Sequence, residues 1–140
     1  MLTAILLVIL GMGWGIQMAG GDDHLLAPAH AHLNLLGWVG FSVFAFYYHL
    51  VPQAAQGLLP RAHFAFSAGG VATLVPGNAL AIRDHGDKLV RFGSVLSLVS
   101  MQLFLCVVMM NARRRQNRRR TALAREHRAP GCTQGPDRVN

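Results

Sequence analysis

The sequence predicts an all-α membrane protein, an antiparallel bundle of four transmembrane helices with a basic, disordered C-terminal tail. Hydrophobic residues make up 52% of the 140 residues and charged residues only 14%, which is poor in charge for a soluble domain. Four long apolar segments each approach the ~20 residues that cross a bilayer core. Short polar connections separate these segments, and such connections favour antiparallel neighbours.

The first helix is expected over residues 2–20, which are almost wholly apolar. No Lys or Arg precedes it, so a cleaved signal peptide is disfavoured. Gly11, Gly13 and Gly15 include a GxxxG spacing suited to close helix packing. Residues 21–29 form a polar connection in which Pro28 is well placed to begin the next helix.

Three further helices are expected, over about residues 30–51, 61–82 and 89–111. Pro52 ends the second helix. Pro76 and Gly77 interrupt the third near its end, where they predict a kink or an unwound turn. The tail from Arg113 onward is expected to be disordered beyond its first turns.

The net positive charge is confined to the C-terminal end and sets the expected orientation. Residues 1–112 carry four basic and four acidic side chains (4 − 4 = 0), and residues 113–140 carry nine Arg against two acidic side chains (9 − 2 = +7). We therefore divide the chain into a transmembrane domain, 1–112, and an Arg-rich tail, 113–140. The positive-inside rule puts the tail in the cytoplasm, and four crossings then put the N-terminus there too. The tail has no aromatic side chain for base stacking, so no nucleic-acid partner is expected.

The run of residues 29–38 places His30, His32 and Asn34 at the mouth of an apolar helix. Ionisable groups in such a position are costly and usually mark a functional site. At about 100° per residue, His30 shares a stripe with Asn34 that should face the bundle, whereas His32 lies opposite and should face lipid or another subunit. If the first turn is irregular, either histidine could face inward. The rest of the stripe is Gly37, Phe41 and Tyr48.

The third and fourth helices carry matching stripes of small residues, which suit close packing. Beside inward histidines, small residues also leave room for a flat ligand. On the third helix the stripe is His63, Ser67, Gly70, Leu74 and then Gly77 or Asn78; on the fourth it is Gly93, Ser97, Ser100 and Phe104.

Depth in the membrane sorts the histidines into two groups. His30 and His49 are 19 positions apart, or about 28 Å at ~1.5 Å per residue, so they cannot serve one centre. The outer group is His24, His30, His32 and His85, and the inner group is His49 and His63. Either group has enough imidazoles for two axial haem ligands or for part of a zinc or copper shell. Solvated loop positions for His24 and His85, and interfacial positions for His49 and His63, are the simpler alternatives.

The two cysteines do not indicate a disulfide, because Cys106 lies in the last apolar segment and Cys132 in the polar tail. The sequence has no CxxCH motif, so covalent attachment of a c-type haem is excluded.

The run PAHAHLNLLGWV at 28–39, with Tyr47, Tyr48 and RAHFAF at 61–66, resembles small four-helix bacterial membrane proteins grouped with the haem-copper oxidase subunit I superfamily. The resemblance implies that His30 or His32 is an axial ligand of a low-spin b-type haem. It also implies assembly, since the large subunits contain three similar arcs of four helices. The paired-histidine copper site of those subunits is missing here, so the chain is not expected to be an enzyme that reduces oxygen on its own.

The leading hypothesis is therefore a bacterial inner-membrane protein that binds haem b near the outer face and acts in electron transfer or in gas or redox sensing. His30 and/or His32 would be axial ligands, and Asn34 and Trp38 would line the pocket. The second ligand would be His85, His24 or a histidine of another subunit in a dimer, a trimer or a larger membrane complex; His63 is a further cofactor-binding candidate. The second nitrogen of each imidazole needs a partner, for which Asn34, Asn78 or a loop aspartate is available.

Two alternatives stay open. The first is a protein that handles zinc, copper, iron or another divalent metal at the outer rim. Its ligands would come from Asp22, Asp23, His24, His30, His32, Asp84, His85 and Asp87, a mixture of carboxylate and imidazole that suits zinc, manganese or iron better than Cu(I). The second is a non-catalytic accessory subunit whose histidines only satisfy helix ends.

Overall fold

The computed structural model describes residues 1–21 and 24–128, apart from the side chains of 126–128, and this part is helical with no strand. A 3₁₀ turn, Pro52–Ala55, connects the second and third apolar segments. Four helices are long and apolar enough to cross a membrane. The helices are α1 (Leu2–Gly20), α2 (Ala27–His32), a π-helix (Leu33–Gly40), α3 (Phe41–Leu50), α4 (Leu58–Ile82) and α5 (Lys88–Arg128). The continuous run Ala27–Leu50, made of α2, the π-helix and α3, is called the second span below.

The helices pack mainly in chain order. In the described residues α1 packs on the π-helix of the second span, the second span packs on α4, and α4 packs on α5, whereas α1 and α5 share no extended interface. The apolar core lies where α1, the second span and α4 meet, and consists of Ala4, Leu33, Phe41, Val71 and Val75.

The contact between α4 and α5 confirms the two predicted stripes of small residues. A Cβ atom added at Gly77 would lie 2.5 Å from the backbone nitrogen of Val90, and one added at Gly93 would lie 2.5 Å from that of Leu74. Only glycine allows the two backbones to come this close. The two stripes fill each other between α4 and α5, and the space that stays open beside Ser67, Leu74, Ser97 and Ser100 lies toward the second span.

Three expectations about the helices differ from the structure. Helix α5 does not end at residue 111 but continues to Arg128, because Arg, Gln, Ala and Leu are good helix formers and extending an existing helix is far easier than nucleating one. Helix α4 continues through Pro76 without an unwound turn. The irregular backbone lies instead in the second span, where the π-helix follows His32. The disorder expected for residues 129–140 lies outside the described residues.

The end of the helices near His32 and Asn78 is called the His32 end below, and the end near Tyr48 and His63 is called the His63 end. Each end holds a histidine at the contact between the second span and α4.

Candidate cofactor site

His32 is held in one tautomer by the backbone of its own helix. Pro28 lies in the first turn of α2, and its carbonyl oxygen lies 2.7 Å from Nδ1 of His32, one turn later. Because a carbonyl oxygen can only accept, Nδ1 must carry the proton and Nε2 keeps its lone pair. Nε2 has no hydrogen-bond partner in the described part of the chain. Histidines that bind metals commonly present one nitrogen in this way while the other donates to a carbonyl.

The side chain of His32 lies against α4 rather than toward lipid, contrary to the expectation from helical spacing. The amide of Asn78 contacts it, with Nδ2 3.3 Å from Nδ1. Residues two positions apart on a helix point in nearly opposite directions. The second span lies between α1 and α4, so His30 and His32 each have a neighbouring helix.

A groove of about 380 Å³ runs from His32 between the second span, α4 and α5. This volume is within the range of cofactor and small-molecule sites, which are mostly apolar with a few polar groups. The apolar lining residues are Leu35, Leu36, Phe41, Phe44, Val71, Leu74, Leu98 and Met101, and the hydroxyl-bearing ones are Ser67, Ser94, Ser97 and Ser100. The groove thus has one imidazole, that of His32, among its mostly apolar lining residues.

His30 is packed against α1 and has its Nε2 occupied. Asn34 donates from Nδ2 to this nitrogen at 3.1 Å, and the ring meets Trp14 edge-on at a centroid distance of 6.1 Å. Nδ1 of His30 is buried without a partner, which costs about 1–3 kcal/mol for an unsatisfied polar group. In this arrangement His30 offers no nitrogen to the groove.

The GxxxG spacing of α1 provides the space for these polar side chains. A Cβ added at Gly15 would lie 3.1 Å from Cε1 of His30, and one added at Gly11 would lie 2.5 Å from Oδ1 of Asn34. The motif therefore brings α1 close to the second span, as such motifs do.

The remaining candidates do not line the groove. His24 and His85 are exposed, and Nδ1 of His85 donates to the carbonyl of Arg83 at 2.7 Å. Trp38 is 45% exposed and lines a separate cavity beside the start of α1.

Among the described residues no three His, Cys, Asp or Glu side chains come together to hold a metal. Asp22 and Asp23, part of the predicted rim site, lie outside those residues.

His63 lies at the opposite end of the second span and is fully buried, with 1% of its surface exposed. Tyr48 Oη is 3.1 Å from Nδ1, and Ser67 Oγ is 3.3 Å from Nε2. The ring stacks on Phe104 and meets Phe44 edge-on. Both nitrogens are engaged, so His63 does not present a free ligand atom.

Sequence reasoning identified both asparagines that lie beside the imidazoles, Asn34 and Asn78, but not the carbonyl of Pro28. The signal for that carbonyl was available, because a histidine four residues after a proline in the first turn of a helix reaches back to the previous turn. The serine-lined groove could not be predicted from any single stretch of the sequence, because its walls come from three separate helices.

Comparison with protein-family models, with curated proteins and with solved structures finds no match to this chain.

Proposed function

We propose that the protein binds a b-type haem in the groove through Nε2 of His32. The observation that carries this proposal is the position of His32 on the groove, with Nδ1 donating to Pro28 and Nε2 without a hydrogen-bond partner among the described residues. A neutral imidazole whose second nitrogen is fixed by a carbonyl is a good haem ligand. The groove suits haem chemically, since it is mostly apolar and its polar groups other than His32 are neutral hydroxyls.

The proposed haem site has one histidine from this chain. No second histidine lines the groove in the described residues, so the sixth position would be open or filled by another copy of the chain. When bound, haem supplies reversible gas binding if the sixth position is open, and one-electron transfer if both positions are filled. The structure of the groove favours the first of these, and gas or redox sensing is the role we propose.

In the proposed arrangement the four helices cross the bacterial inner membrane in an antiparallel order. Two contacts support this order. Gly15, near the end of α1, lies beside His30, near the beginning of the second span. Asn78, near the end of α4, contacts His32, also near the beginning of the second span. The exposed arginines of α5 keep the C-terminal end in the cytoplasm by the positive-inside rule, and the His32 end then faces outward. Seven such residues are Arg113, Arg114, Arg115, Arg118, Arg119, Arg120 and Arg125.

Absorption spectroscopy tests the proposal. The full chain would be produced with ample haem, purified in detergent, and measured oxidised, reduced with dithionite, and reduced under carbon monoxide, with a pyridine haemochrome assay on the same sample. We expect a b-type haemochrome and a Soret band that shifts with carbon monoxide. Reduced bands unaffected by carbon monoxide would show two axial ligands and would reject the open position. The absence of a Soret band would reject haem binding, and metal analysis would then test the zinc, copper and iron alternative.

A further inference from the structure

The His63 end contains a hydrogen-bond network that begins outside the proposed haem groove and ends in its lining. Tyr48, His63, Ser67 and Ser100, called the buried network below, come from the second span, α4 and α5. The contacts run from Tyr48 Oη to His63 Nδ1, from His63 Nε2 to Ser67 Oγ, and from Ser67 Oγ to Ser100 Oγ. Polar groups in such apolar surroundings are expensive, and inside membrane helices they are often functional.

All members of the buried network can donate in the same direction. If the Tyr48 hydroxyl donates to Nδ1 of His63, then Nε2–H donates to Ser67, and Ser67 donates to Ser100. If Nδ1 carries the proton instead, every bond can reverse. A neutral imidazole can accept a proton at one nitrogen and release one from the other, which is why histidine serves as a proton shuttle.

The two ends of the buried network lie in different cavities. Tyr48 and His63 line a second cavity of about 420 Å³ that also includes Arg61 and Met1. Ser100 lines the groove that begins at His32, and Ser67 lines both spaces. A network that only held the helices together would not need access to a cavity at each end.

We propose that the buried network conducts protons between the second cavity and the groove, with His63 as the carrier. A proton enters at Tyr48, which donates its own proton to Nδ1 of His63, while Nε2–H passes a proton to Ser67, Ser67 passes one to Ser100, and Ser100 releases its own proton into the groove. The atoms balance, because each group gives up one proton as it receives one. Reversal of the hydroxyl and imidazole orientations then resets the network.

The groups facing His63 favour transfer over storage of the proton. Tyr48 is the titratable partner from the second span, and the facing residues of α5, Ser100 and Phe104, carry no charge. Arg61 lines the same cavity. Its positive charge opposes a lasting imidazolium at His63.

Proton flux into liposomes tests this proposal without haem. The haem-free full chain would be reconstituted into vesicles containing the pH dye pyranine, and a potassium gradient with valinomycin would drive proton movement. Ser67→Ala removes the central hydroxyl of the buried network. We expect it to lower the protein-dependent flux roughly tenfold or more, because positioned proton carriers accelerate transfer by about 10²–10⁴-fold.

Thr73→Ala is the control, since Thr73 lies on α4 as Ser67 does, lines neither the groove nor the second cavity, and donates to the carbonyl of Gly69 in its own helix at 2.7 Å. Its flux should equal that of the wild type. Tyr48→Phe, which keeps the ring, should lower the flux as Ser67→Ala does. Equal flux in the wild type and Ser67→Ala, or no protein-dependent flux in the wild type, would overturn the proposal. Neither result bears on the Soret band, so the two proposals fail separately.

Discussion

The two histidines at the contact between the second span and α4, His32 and His63, have different hydrogen-bond partners. At the His32 end the imidazole lines the groove, is anchored through Nδ1, and has no hydrogen-bond partner at Nε2 among the described residues. At the His63 end the imidazole is buried and both nitrogens are hydrogen-bonded. Both histidines lie between the second span and α4, so the neighbouring helices alone do not decide their roles.

The comparison shows that a histidine's partners decide what it can bind. A ring with one fixed and one free nitrogen is ready to act as a ligand. A ring with two partners stabilises the fold and can transfer protons between those partners. His30 is a third case, since Asn34 occupies its Nε2 and its Nδ1 is buried without a partner.

Removing the His63 ring should have the largest effect on stability. His63→Ala leaves a cavity beside Phe104 and deprives Tyr48 and Ser67 of their partner, and we expect it to lower the free energy of unfolding by about 3 kcal/mol. His32→Ala should cost under about 1 kcal/mol, because His32 is only partly buried at the edge of a groove. Thermal unfolding in detergent, followed by circular dichroism, measures both. Equal losses of stability in His63→Ala and His32→Ala would show that the two histidines contribute equally to the fold, contrary to the difference described above.

A smaller effect is expected where α1 contacts His30 and Asn34. Gly11→Ala places a Cβ 2.5 Å from Oδ1 of Asn34, so Asn34 must move from His30; overpacking of this kind costs about 1–3 kcal/mol. Gly13 lies two residues away with no atom within 4 Å of its added Cβ. Gly13→Ala should therefore be neutral or stabilising by up to about 1 kcal/mol. Thermal unfolding in detergent, followed by circular dichroism, measures the stability of both variants. Equal stabilities of Gly11→Ala and Gly13→Ala would contradict the packing of α1 described above.

The smallest effect is expected from the second contact of His32. Asn78→Ala removes an amide at 3.3 Å but leaves the 2.7 Å bond from Nδ1 to Pro28. Because Nδ1 already donates its proton to Pro28, the amide nitrogen of Asn78 cannot donate to it, so we expect a loss of under about 0.5 kcal/mol, with the haem content per protein unchanged. Haem content is measured by the pyridine haemochrome assay on samples of equal protein concentration. A large loss of haem would mean that Asn78, rather than Pro28, fixes the imidazole.

The sequence was sufficient for features that depend on one helix at a time. Apolar length predicted four helices that could cross a membrane, and a spacing of about 3.6 residues predicted the stripes that join α4 to α5. The charge run after Asn111 was interpreted as disorder, but arginine is also a good helix former and α5 continues through it.

The orientation of His32 depended on features that helical spacing does not contain. Spacing gives the angle between His30 and His32 but not which helices lie on each side, and α1 and α4 occupy opposite sides of the second span. The π-helix after His32 also changes the angle per residue, because its hydrogen bonds join residues five apart. Trp38 consequently lies in a cavity away from the groove.

The most direct test of the account compares haem binding in two single variants, His32→Ala and His30→Ala. Both would be produced with ample haem and measured by absorption spectroscopy beside the wild type, with circular dichroism to confirm helical content. If His32 is the haem ligand, His32→Ala should lose the Soret band and His30→Ala should keep it. A Soret band retained in His32→Ala and lost in His30→Ala would contradict the account and return the ligand role to the histidine that helical spacing alone had favoured.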